Sequence, residues 1–149
     1  MIDALYSEKI LTLAANLPRA GRLGAPQASA EKVSKLCGSR VVADVVMDGE
    51  QVADFAQEVK ACALGQAAAA VLGASVIGAK VGEIEMARDA FRAMLKHGGA
   101  PPQGRFADLV MLEPVKDYPA RHASALLAFE ATAEACRRAM ARTSPADAA

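Results

Sequence analysis

The chain has 149 residues and a mass of 15.4 kDa, the size of one domain able to bury a substantial core. Its 17 lysines and arginines balance 17 aspartates and glutamates, so no basic excess calls for nucleic acid or an anionic membrane surface. Hydrophobic residues make up 53% of the sequence, yet aromatics are only 4% and tryptophan is absent, so the core must be aliphatic and alanine-rich. Such a core favours close helix packing.

The N-terminal stretch "MIDALYSEKILTLAANLPRAG" carries an acidic residue at position 3 and no basic start followed by a continuous apolar run, so it does not read as a secretory signal. Ile2, Tyr6, Ile10, Leu13 and Leu17 recur at helical spacing, predicting a first helix that Pro18, Gly21 and Gly24 bring to an end. The following "PRAGRLGAPQAS" is too rich in glycine and proline for regular structure and predicts a surface loop. Three segments, "AEKVSKLC", "SRVVADVVM" and "QVADFAQEV", are then β-branched or alternating, and Asp48-Gly49 between the last two is a strong signal for a tight hairpin.

From Cys62 the pattern turns helical as far as about Ala79, the most apolar run of the chain. It is short for a membrane span, carries Gln66 and relies on weakly hydrophobic alanine, so it predicts a buried core helix. Along "GEIEMARDAFRAMLKHG", Ile84, Ala87, Phe91, Met94 and Leu95 form one apolar face that Gly98 and Gly99 terminate. The linker "APPQGRF", a short helix within "ADLVMLEPV" and a break at "DYPAR" lead to a last helix starting near His122 to Ser124. Leu126, Phe129, Ala133, Cys136 and Met140 make its buried stripe. The prediction is an α+β domain over residues 1–142, with an N-terminal helix, a three-stranded antiparallel sheet and several helices on one face, followed by a disordered tail over 143–149.

With three cysteines and no export signal, a reducing cytoplasmic setting is expected, where thiols are free for metal or redox chemistry. Cys136 falls in an apolar stripe and reads as packing. Cys37 and Cys62 stand at element ends, from which side chains can reach a shared cleft. Each also follows a lysine by two positions, Lys35 and Lys60, so that an ammonium can favour the thiolate, as can the helix N-terminus at Cys62; the alternative is that the lysines point to water and the thiols are inert. His122 and Ser124 open the last helix, where Ser124 equally fits an N-cap and His122 an exposed helix end. His97 beside Gly98 reads as a helix-end cation.

The order "LYSEKILTLAANLPRAGRL", "LCGS" before a V-x-x-D strand, a hairpin, "KACALGQA" and "PARHASALLAFEA" resembles the IscU/NifU-type iron-sulfur cluster assembly scaffolds, including the SufU branch, over roughly Leu5 to Ala139. The resemblance implies a site of three cysteines and an aspartate. The family's Cys-Gly-Asp matches Cys37-Gly38-Ser39, its second cysteine matches Cys62, and its Arg-x-x-Cys-Ala-x-Leu-Ala matches Arg121 to Ala128, with Ser124 at the cysteine. Two of the four ligand positions are thus kept, and Ser39 and Ser124 replace the other two. A serine hydroxyl is a hard, protonated donor where clusters and zinc prefer thiolate or imidazole. His122 is then the natural substitute ligand.

Three functions remain open on this resemblance. One is a non-enzymatic scaffold or carrier that binds iron or a labile [2Fe-2S] cluster through Cys37, Cys62 and His122, or through two cysteines from each partner of a homodimer, and delivers it to recipient apoproteins. The second is a zinc-dependent sulfur acceptor working with a cysteine desulfurase through the same residues plus water or Ser39. The third is a paralogue that binds no cluster and regulates a desulfurase through the loop "PRAGRLGAP".

Overall fold

The computed structural model describes residues 7–36 and 38–142. Ile2, Tyr6, Cys37 and the 143–149 tail therefore lie outside the described residues. Helix α1 (Glu8–Ala15) is followed by strands β1 (Ala28–Ser34), β2 (Ser39–Asp48) and β3 (Gln51–Lys60). Helices α2 (Ala63–Ser75) and α3 (Val81–His97) come next, then a 3-10 segment (Gly104–Asp117), a single 3-10 turn (Pro119–Arg121) and helix α4 (His122–Arg142). The α+β order predicted from the sequence is the order found.

The strands form an antiparallel sheet in the order β1-β2-β3. Asp48 pairs with Gln51 across the two-residue turn Gly49-Glu50, and Gly49 takes φ +62, the left-handed value that glycine supplies at the first central position of a type II′ hairpin. Alternation along β2 sends Val41, Ala43, Val45 and Met47 to the face covered by helices, where all four join the main core. Helix α4 lies across β1 and β2 on that face, with α2 and α3 packed beside it. Phe129 of α4 meets Phe91 of α3 and Phe106 of the 3-10 segment edge to face, with ring centroids 6.0 and 5.3 Å apart, an aromatic geometry that fixes these three elements together.

Asp44 points to the other face of the sheet, where its side chain is fully buried beneath the loop over residues 16–27. Arg22 grips it with two bonds, Nε to Oδ2 at 2.7 Å and Nη2 to Oδ1 at 3.1 Å, while the Leu23 amide and the Ser29 hydroxyl also donate. Burial alone would raise this carboxyl's pKa, but donation from Arg22, Ser29 and Leu23 and the charge of Arg22 carry it below the usual carboxylate range. The same loop shields the edge of β3, where the Gly21 amide donates to the Gln57 carbonyl and the Gln57 amide to that of Arg19.

Helix α2 ends at Ser75, four residues short of the predicted Ala79, because Val76 caps it and Gly78 turns the chain at φ +85. It is buried nearly all round, from Leu64 to Gly73, as its composition requires. Gly73 admits the Pro18 carbonyl and the Gln57 side chain, whose Nε2 donates to the carbonyls of Ala69 and Pro18. The "ADLVMLEPV" helix proves to be part of the longer 3-10 segment, which is broken at Phe106 (φ −109, ψ 26) and contains Pro114. No helix among the described residues is long and apolar enough to cross a membrane.

Two expectations follow. A Cβ at position 73 would lie 2.7 Å from the Pro18 oxygen, so Gly73→Ala should lower stability by roughly 2 kcal/mol, read as an earlier urea midpoint. Asp44→Ala should cost about 2 kcal/mol at neutral pH by stranding the donors around it. Because the folded pKa of Asp44 is depressed, its contribution is complete above the ordinary carboxylate pKa and is lost as pH falls through the folded value. The gap between wild type and Asp44→Ala should therefore narrow on acidification, as followed by urea melts from neutral pH into the strongly acidic range.

Candidate functional site

Three element ends converge at one edge of the core. Ser39 is the first residue of β2, on the strand face turned to the helices; Cys62 is the residue that caps the N-terminus of α2; and Ser124 lies in the first turn of α4. The Ser39 and Ser124 hydroxyls are 2.9 Å apart, and the Ser124 Oγ is 3.7 Å from the Sγ of Cys62. Both serines are closed off from solvent, at 3% and 1% exposure, whereas Cys62 is half-buried and can be reached from outside.

The close approach of α2 and α4 depends on Gly65. A Cβ there would lie 3.0 Å from the Ser124 hydroxyl, 3.1 Å from the Ser124 carbonyl and 2.7 Å from the Cβ of Ala61. Any larger residue would push the start of α4 away from Cys62. Gly65 was not singled out from the sequence, although a glycine interrupting an alanine-rich helix is the kind of signal that marks a close backbone approach.

Burial is the largest influence on the Cys62 thiol and pushes its pKa up. The Gly65 amide, the Ser124 hydroxyl, the Leu64 amide and the charge of Arg121 together outweigh it, and the thiol is held below its ordinary value. The sulfur makes no capping hydrogen bond of regular geometry, yet the free amides of the first turn of α2 face it, and these favour the charged form. The sequence pointed to Lys60 as the neighbouring cation. Lys60 ends exposed on β3, and the cation acting on the thiol is Arg121, from the single 3-10 turn before α4.

The other predicted residues are placed differently. Ser124 is not a cap, since α4 begins two residues before it at His122. His122 is buried, and its Nε2 donates to the Val115 carbonyl at 2.9 Å and to that of Lys116 at 3.2 Å. Two residues apart on one helix, His122 and Ser124 point about 200° apart. The ring is thus held against the 3-10 segment and away from the Ser39–Ser124 pair. Cys37 lies outside the described residues, two positions before Ser39 in the chain. Among the described residues, no group of three histidine, cysteine, aspartate or glutamate side chains is gathered as a metal site. Cys136 is buried in α4 with its pKa pushed up by burial to about 12, an inert packing thiol as its stripe predicted.

The NifU-like N-terminal domain model matches residues 5–125 of this chain. The crystal structure of the N-terminal part of a nitrogen-fixing NifU-like protein from Brucella abortus superposes with a TM-score of 0.92 at 50% identity, covering 96% of this chain and 99% of that one. The iron-sulfur cluster assembly scaffold protein IscU of Thermotoga maritima is 26% identical over 134 residues, which span 90% of this chain and 94% of the relative. A protein from Fervidobacterium islandicum described as a cluster assembly scaffold for the SUF system shares the fold, with a TM-score of 0.82 at 23% identity over 90% of this chain and 98% of that one. Fold, element order and family match agree, and the chain belongs to the NifU-like N-terminal domain family of iron-sulfur cluster assembly scaffolds.

Proposed function

We propose that this protein is a scaffold or carrier whose cargo is a labile [2Fe-2S] cluster, held by the thiolates of Cys37 and Cys62 from each of two copies of the chain. The observation that carries this reading is Cys62 itself: a half-buried sulfur at a helix N-terminus, its thiolate favoured by two amides and a hydroxyl, at the position that the sequence resemblance aligns with the family's second cysteine.

The donor set argues for sharing between chains. A [2Fe-2S] cluster takes four thiolates as a rule, and hydroxyls such as those of Ser39 and Ser124 are poor substitutes for them. His122 has committed Nε2 to two carbonyls and faces away from Ser124, so the imidazole does not readily complete a shell within one chain. Two cysteines from each of two chains supply the required four. Such a shell is complete only while the chains are paired, and their separation releases the cluster. In this role the protein is a scaffold, not an enzyme: a cysteine desulfurase supplies the sulfur, recipient apoproteins accept the cluster, and the cytoplasm is the setting in which such thiols stay reduced.

Anaerobic reconstitution with iron and sulfide should give visible charge-transfer absorption, about one cluster for each pair of chains, and a dimeric mass that reverts to monomer when the cluster is removed. Cys62→Ala should lose colour and pairing while keeping its helical circular dichroism. Colourless protein with stoichiometric zinc, or protein that takes up no metal, would count against the reading. Ser124→Cys, by placing a soft donor 3.7 Å or so from the sulfur of Cys62, should slow transfer to an apoprotein acceptor roughly ten-fold.

A further inference from the structure

We propose that Ser39 and Ser124 serve the cluster through the sulfur of Cys62 and not as iron ligands, forming a chain of hydroxyls in which Ser39 donates to Ser124 and Ser124 donates to Sγ. This inference rests on the reading that Cys62 holds the cluster. It assigns both serines as positioning residues.

Geometry and proton count support it together. The two hydroxyls are 2.9 Å apart, and Ser124 lies 3.7 Å from Sγ, long for two oxygens but near contact distance for the larger sulfur atom. Each serine has one proton to give. In the free protein the thiol also carries one, and the direction of the bonds is open. Once the sulfur binds iron it has no proton, so Ser124 must give its own to the sulfur and accept from Ser39. The chain then has a single direction.

Ser39 is left with lone pairs to be satisfied, and a donor for them is at hand. Ser34, at the end of β1, is the ladder partner of Ser39 and lies on the same face of the sheet. Its hydroxyl is 4% exposed and has no hydrogen-bond partner among the described residues, although buried hydroxyls are generally paired. A rotation of Ser34 towards Ser39 would extend the chain to three hydroxyls ending on one sulfur. Acting as a ligand would instead require a buried serine to break its bond to the other serine and lose its proton.

Hydrogen bonds to a cluster's sulfurs stabilise the more negative, reduced state and raise the reduction potential. The reconstituted Ser124→Ala protein should therefore keep wild-type iron and sulfide content while its potential moves to more negative values. Ser39→Ala should move it the same way by less, and Ser124→Thr, which retains the hydroxyl, should restore the wild-type potential. Loss of iron in Ser124→Ala would make Ser124 a ligand, and an unmoved potential would make it a bystander; either result overturns the proposal.

A second measurement needs no cluster. In the metal-free protein at alkaline pH, where the Cys62 sulfur has no proton and can only accept, its thiolate ultraviolet band, assigned by its loss in Cys62→Ala, should move to longer wavelength in Ser124→Ala as the bond from the hydroxyl is lost. An unchanged band overturns the hydroxyl chain. If wild type takes up no cluster but the band moves, the contact with sulfur stands and it is the scaffold reading that fails.

Discussion

The whole arrangement depends on how little side chain helix α2 carries. Between Leu64 and Gly73 all its residues but Gln66 are buried, and most are alanine or glycine, so neighbouring elements approach its backbone to distances that larger residues would forbid. At one end Gly65 lets the start of α4 bring Ser124 against Cys62; at the other Gly73 lets the Pro18 carbonyl and Gln57 press in. Two glycines inside a helix weaken it by about 1 kcal/mol each relative to alanine, a cost that the burial around α2 offsets. The same helix thus fixes both the site and the anchoring of the N-terminal loop.

The sheet has two faces with different tasks. The helix-facing side of β2 supplies aliphatic core residues and, at its first position, Ser39. The opposite side holds the buried Asp44, which pins the loop over residues 16–27 across the strands and satisfies the Leu23 amide and the Ser29 hydroxyl. A buried charge is tolerated here because four donor bonds converge on it. Rigidity on this side supports accuracy on the other, since Asp44 and Ser39 belong to one strand.

Much of the fold was legible in the sequence because its signals are local. The alternating strands, Asp48-Gly49, the α3 face from Ile84 to Leu95 and the Gly98 stop, a left-handed C-cap at φ +65, all depend on neighbours within a few residues. The early end of α2 at Ser75 and the 3-10 course of Gly104–Asp117 were missed because tertiary contacts decide them: residues 78 to 80 bond to the edge of β3, and Phe106 is turned towards Phe129. At the site, resemblance drew attention to Ser39, Cys62 and Ser124, and the structure brings these three together. Gly65 and Arg121 went unassigned, because a close approach and a charge acting across space leave no mark in linear spacing. His122 stood two residues from Ser124, and only the helix start at His122 and the Val115 carbonyl reveal that its ring turns the other way.

Cys136 has a practical use that its inertness creates. Fully enclosed on the inner face of α4, with its pKa pushed up to about 12, it resists thiol reagents for as long as the core stays shut. Its modification therefore keeps time with opening of the folded molecule, and a mass spectrometer following that one peptide has a native clock for global unfolding, with no dye or engineered label.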